Sequence, residues 1–99
     1  MRTRSLGCLQ VSVIGLGCNN FGKRLDQVGT DAVVHAALDA GITFFDTANT
    51  YGAGNSESET QLGQALLGRR DAAVVATKFG MPMSDGRWGA KPDYIIEMV

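Results

Sequence analysis

Apolar and polar residues alternate in blocks along this chain. Residues 11–16 (VSVIGL) form a short apolar run, which Gly15, Gly17, Asn19, Asn20 and Gly22 then break up. Residues 30–40 (TDAVVHAALDA) put Val33, Val34, Ala37 and Leu38 on one face at helical spacing, with Gly41 where a helix stops. Residues 42–46 (ITFFD) are a second apolar run. Residues 56–67 predict a second helix, with Leu62, Ala65 and Leu66 on its apolar face and Gly68 beyond it. Ser56 followed by Glu59 reads as a capping box at its start. A third apolar run covers 73–79 (AVVATKF), and a glycine-rich loop, GMPMSDGRWGAK, follows. Pro92 and Asp93 then open a third helix.

The order predicted is strand–helix, three times over. Each strand is nearly continuous in its apolar residues, the habit of parallel sheets covered on both faces. The spacing of roughly 30 residues suits right-handed β/α units. The segment before them, RSLGCLQVSV, predicts a small hairpin around Gly7. No stop signal follows Ile95, Ile96, Met98 and Val99, and three β/α units leave sheet edges open. The pattern predicts the front of a larger α/β fold. Such a chain, expressed alone, is expected to be poorly stable and to self-associate through its edges.

Composition narrows the function. The 99 residues are 44% hydrophobic and 19% charged, as in ordinary globular chains. Net charge is −1 with no basic stripe, which argues against nucleic acid. No run of about 18 apolar residues offers a membrane span, and no signal-peptide core follows MRTRS, so a cytoplasmic protein is expected. Cys8 and Cys18 lack CxxC spacing and read as reduced thiols. One histidine and no ligand cluster argue against zinc. That histidine, His35, lies between Asp31 and Asp39 on the polar side of its helix and reads as solvated.

Two stretches carry candidate chemistry. GLGCNNFG (15–22) has the first two glycines of a dinucleotide fingerprint, but Asn20 stands where the third belongs and no helix opens directly behind it. It reads better as a loop whose backbone lets a ligand come close. The second is ITFFDTANTYG (42–52) together with Lys78. Asp46 and Lys78 each end an apolar run. If those strands are parallel neighbours, about 5 Å apart, the two side chains meet, with Tyr51 folded back over them. This is either a structural ion pair or a proton-donating site. A free tyrosine, titrating near pH ~10, is a weak acid at neutral pH, and a neighbouring ammonium favours its phenolate. A tyrosine beside a lysine that a carboxylate holds in place is therefore a tuned general acid, suited to an oxygen that gains a proton as its carbon gains a hydride.

At these residues the sequence resembles the aldo-keto reductase family. VSVIGLGCNNFG is similar to its opening strand and turn. DAGITFFDTANTYG is similar to its Asp-Thr-Ala and Tyr-Gly signature. Ser58-Glu59 with Leu62-Gly63 and Ala65-Leu66 resembles its second helix, and VVATKFG its strand lysine. The resemblance implies that residues 1–99 are the N-terminal part of one (β/α)8 TIM barrel domain, cut within the third helix. It implies NADPH-dependent reduction of an aldehyde or ketone, with Tyr51 as proton donor, Lys78 tuning it and Asp46 holding Lys78. Gly17, Cys18, Asn19 and Asp46 match positions near the nicotinamide. The family's histidine and most of the cofactor site are expected beyond residue 99, which leaves these 99 residues inactive alone. Two alternatives remain: a non-catalytic binding or regulatory subunit similar to potassium-channel β-subunits, or a truncated product without function. Met81, Met83 and Trp88 are candidates for the mouth of a substrate pocket.

Overall fold

The computed structural model describes all 99 residues. A two-stranded antiparallel hairpin comes first, with β1 at Thr3–Leu6 and β2 at Leu9–Ser12. Its loop is Gly7–Cys8, and Gly7 takes φ +61°, the position that a two-residue turn of this kind reserves for glycine. The hairpin expected around Gly7 is therefore present.

Three parallel strands follow in the order β3 (Gly15–Gly17), β4 (Phe44–Asp46), β5 (Val74–Ala76). The apolar run 11–16 is not one strand. Ser12 Oγ donates to the carbonyl of Ile14 at 2.6 Å and bends the chain there. Residues 11–12 finish the hairpin, Val13 and Ile14 are exposed, and residues 15–17 join the other sheet. Ser12 and Thr43 then exchange backbone-to-hydroxyl hydrogen bonds at 3.0 and 2.9 Å, which dock the hairpin beside the start of β4.

Helix α1 (Gln27–Asp39) connects β3 to β4, α2 (Glu57–Ala65) with a 3-10 turn at Arg70–Ala72 connects β4 to β5, and α3 (Pro92–Met98) follows β5. Asp26 caps α1 by accepting from the Gly29 amide at 2.8 Å. At its other end the Gly41 amide donates to Leu38 at 2.9 Å. The helix starts three residues earlier than its apolar periodicity shows, because the Asp26 cap, not the first apolar residue, sets its beginning.

The capping box predicted at Ser56 and Glu59 does not form. Ser56 takes φ +59° and caps nothing with its side chain, and Glu59 instead accepts a hydrogen bond from the Thr77 hydroxyl. The adjacent Glu57 turns back on the preceding loop, its Oε2 accepting from the amides of Ala53 and Asn55, each at 3.0 Å. An N-cap residue uses an extended backbone to aim its hydroxyl at the first turn, and the left-handed Ser56 lacks it.

The sheet has two unlike faces. Side chains alternate along β4, so Phe45 points one way and Phe44 and Asp46 the other. Phe45 is fully buried against Val34, Ala37 and Leu38 of α1, Leu62 and Ala65 of α2, and Leu66 just after it, with Cys18, Phe21 and Ala73 closing the same core. Those helix faces are the ones their periodicity marks. The opposite face, with Gly15, Gly17, Phe44 and Asp46, lines an open groove of about 490 Å³ beneath the hairpin. The strands were expected to be covered on both sides, and the helices cover only one.

Candidate active site

The ladder between β4 and β5 runs on past both strands. The Thr47 amide donates to Ala76 O at 2.8 Å and the Asn49 amide to Lys78 O at 3.0 Å. This extension carries Asp46 and Lys78 to the same end and the same face of the sheet. Lys78 Nζ donates to Asp46 Oδ1 at 2.8 Å and to the carbonyl of Thr47 at 2.7 Å. Two of its three protons are thereby used and the ammonium is pinned. The hydrogen bond to Asp46 raises the Lys78 pKa above its ordinary value, partial burial works against this, and Tyr51 adds to the rise. The side chains are 50% and 45% exposed, so the pair is open to solvent on the groove side.

Tyr51 lies on the loop between β4 and α2, and its ring centroid is 5.0 Å from Lys78 Nζ. The turn that returns it is short: the Tyr51 amide donates to Ala48 O at 3.2 Å, and the Ser56 amide to Asn49 O at 2.9 Å. Gly52 follows at φ +101°, where an added Cβ would run into Glu57. The three residues singled out in the sequence therefore meet. Beside them runs a groove of about 170 Å³ lined by Ala48, Asn49, Thr50, Tyr51, Lys78, Phe79 and Met81.

Other candidates fall elsewhere. Met81 lines that groove, but Met83 is buried and Trp88, 70% exposed, lines a separate surface cleft with Arg87, Lys91 and Glu97. The sequence cannot show which way a loop folds over its own end, and here it turns Met83 inward. His35 is exposed as expected, yet its Nε2 lies 2.9 Å from Ala65 O, so it links α1 to the end of α2. Neither flanking aspartate engages it: Asp31 accepts from Gln27 and Asp39 pairs with Arg69.

At the end of β3, Gly17 and Asn19 are exposed, and a methyl group built on Gly17 would meet nothing within 4 Å. Gly17 and Asp46 are register partners on adjacent strands, so a flat ring has unobstructed access to that backbone beside a carboxylate. An exposed amide, a carboxylate and bare backbone fit the amide-bearing end of a nicotinamide cofactor. The Cys18 thiol does not face that space. It is fully buried in the core, its amide donates to Asp46 O at 2.9 Å, and burial pushes its pKa up to about 11.

A buried polar network, which the sequence pattern did not single out, holds these loops together. Ser58 Oγ donates to Cys18 O at 2.7 Å and contacts Thr47 Oγ1 at 2.9 Å, joining the ends of β3 and β4 to α2. Asn49, 3% exposed, donates from Nδ2 to Tyr94 Oη at 3.3 Å. Polar residues in a stretch as apolar as FFDTAN are the one signal that could have marked them.

Comparison with known proteins decides the family. The family model described as Aldo/keto reductase family matches residues 13–98. The chain belongs to the aldo-keto reductase family. It is 34% identical along its whole length to YqkF of Bacillus subtilis, described as an uncharacterized oxidoreductase, and covers 33% of that protein. It is 40% identical over 78% of its length to YrpG of the same organism, also described as an oxidoreductase, covering 25% of it. Among solved structures, an aldo-keto reductase from Bacillus halodurans in its holo form superposes on 98% of the chain with a TM-score of 0.83 at 35% identity. The match covers 33% of that protein. The aldo-keto reductase chain here thus spans about a third or less of the length of these relatives. Its parallel strands and helices are part of their barrel wall. No helix in it is long and apolar enough to cross a membrane.

Proposed function

We propose that a barrel containing this segment reduces an aldehyde or ketone to an alcohol at the expense of NADPH, with Tyr51 as the proton donor. One observation carries the reading: an ammonium held at 2.8 Å by Asp46 stands 5.0 Å from the Tyr51 ring centre at the open end of two adjacent parallel strands. When bound, the nicotinamide supplies the hydride. Gly17, Asn19 and Asp46 would hold its amide-bearing end; Cys18, fully buried with its amide on Asp46 O and its carbonyl on Ser58 Oγ, does not reach it. Tyr51 gives its phenolic proton to the substrate oxygen as negative charge builds there. Lys78 stabilises the phenolate left behind, and Asp46 with Thr47 O keeps that ammonium in place. Phe79 and Met81 offer an apolar wall for the substrate's hydrocarbon part.

Residues 1–99 supply about three β/α units of a single barrel domain and are inactive without the rest. The two free thiols fit a reducing, cytoplasmic setting.

The test is kinetic, in a full-length barrel carrying these residues. Removing a general acid costs on the order of 10²–10⁴-fold. Tyr51→Phe is expected to lower kcat for NADPH-driven reduction of 4-nitrobenzaldehyde by that much while NADPH still binds. Lys78→Met should fall in the same range. Turnover of Tyr51→Phe at the parent rate would refute the assignment. Running NADH in parallel gives the cofactor preference.

A further inference from the structure

Tyr94 lies in the first turn of α3, two residues after Pro92, and is 9% exposed. Its hydroxyl and its ring reach two different parts of the site. The hydroxyl oxygen accepts from Asn49 Nδ2 at 3.3 Å. The ring stands edge-on to Phe79, centroids 6.4 Å apart at an interplanar angle of 77°. Asn49 lies two residues before Tyr51 on the same loop, and Phe79 directly follows Lys78. The Asn49 amide also donates to Lys78 O at 3.0 Å, which closes a small circuit from loop to strand end to helix and back. Met98, one turn further along α3, gives Asn49 Nδ2 a second acceptor at 3.4 Å.

We propose that Tyr94 is a positioning residue for the reduction. Through Asn49 it holds the loop that carries Tyr51, and through Phe79 it holds the strand end that carries Lys78, so it sets the separation of proton donor and ammonium. This rests on the function proposed above. The Asp46–Lys78 bond fixes only the ammonium. Nothing in that bond fixes the loop bearing Tyr51, whereas the Asn49–Tyr94 contact is buried and reaches the loop from outside the site. A misplacement of about 1 Å at a reacting group costs on the order of 10²-fold in rate. A loosened loop that still visits the productive geometry should therefore lose about tenfold.

The experiment uses the full-length barrel, NADPH and 4-nitrobenzaldehyde. Tyr94→Phe keeps the ring on Phe79 and removes only the oxygen that Asn49 reaches. It is expected to lower kcat about tenfold with Kd for NADPH, read from cofactor fluorescence, changed less than twofold. Asn49→Ala, which also gives up Met98, should lose at least as much, and the double variant no more than Asn49→Ala alone, because both break the link to Tyr94. Hydrogen-exchange mass spectrometry gives a reading independent of turnover: amides 48–56 should exchange faster in Tyr94→Phe while those of residues 27–39 stay unchanged. A kcat within twofold of the parent, losses that multiply in the double variant, or unchanged exchange at 48–56 would each overturn the proposal. The parent and Tyr51→Phe enzymes run alongside. A parent that does not reduce the aldehyde, or a Tyr51→Phe enzyme that does so undiminished, refutes the function instead, and the exchange measurement still decides whether Tyr94 holds the loop.

Discussion

The same substitution, glycine to alanine, should act in opposite directions at residues 52 and 63. At residue 52 the backbone holds φ +101°, and an added Cβ would stand 2.7 Å from Glu57 Cβ and 2.8 Å from its Oε2. The backbone strain alone is roughly 1–2 kcal/mol for an L side chain. The clash must then move the Glu57 side chain, which holds the amides of Ala53 and Asn55. Losing one such bond at a partly exposed site costs about another 1–2 kcal/mol. Gly52→Ala should therefore destabilise by about 2–4 kcal/mol. Gly63 lies within α2, is exposed, and its added Cβ would meet nothing within 4 Å. There the gain in helix propensity is up to about 1 kcal/mol. In the full-length barrel, with a urea m-value of about 3 kcal/mol/M, the upper end for small proteins, the midpoint should rise by up to about 0.3 M for Gly63→Ala and fall by about 0.7–1.3 M for Gly52→Ala. Equilibrium urea titration followed by circular dichroism measures both. A Gly52→Ala midpoint at or above the parent's, or a lowered one for Gly63→Ala, would refute the reasoning.

Other outcomes follow from burial and charge. Phe45→Ala empties the centre of the core and should cost about 3–5 kcal/mol in the same titration, a large share of a typical domain's stability. Cys8 is exposed while the Cys18 thiol is buried with its pKa raised to about 11, so a thiol reagent at pH 8 should label Cys8 but not Cys18 in the folded protein and both in denaturant. Burial of Glu57 tends to raise its pKa, but bonds from the amides of Asn55, Glu57 and Ala53 outweigh this and hold it below the ordinary value. Its folded pKa is thus below its unfolded one, and its contribution is full above the unfolded value near 4.5 and lost as pH falls through the folded one. Glu57→Gln should flatten that part of the stability-against-pH curve, and an unchanged acid limb would show that the carboxylate does not matter there.

Local pattern was readable where one residue's role depends on near neighbours. The apolar stripes of α1 and α2 recur at helical spacing, so Val34, Leu38, Leu62 and Leu66 could be placed inward without knowing their partners. The pairing of Asp46 with Lys78 was also legible, since parallel strands with polar ends leave few arrangements open. The misses share a physical cause: they depend on the three-dimensional path of a loop. Ser12 bends the chain and divides one apolar run between two sheets. Ser56 takes a left-handed backbone, so the predicted cap does not form and Glu57 bonds the loop before the helix instead. Cys18 and Met83 turn inward and Trp88 outward, although nothing in their local sequence separates them. The link from Asn49 to Tyr94 spans 45 residues and has no periodicity at all.

The alternation along β4 gives Phe45 to the core and Asp46 to the chemistry, one residue apart. That ties two unrelated requirements to a single count of residues. Lengthening the chain by one residue between Gly41 and Asp46 would turn a phenylalanine ring outward and drive a carboxylate among leucines in the same step. The exposed glycine-rich turn around Gly86 and Gly89 has no such arithmetic and can gain or lose residues. Among descendants of this chain, length changes should therefore accumulate in the loop after Lys78 and be absent from residues 42–46. Alignments of its relatives can be read for that contrast without any assay.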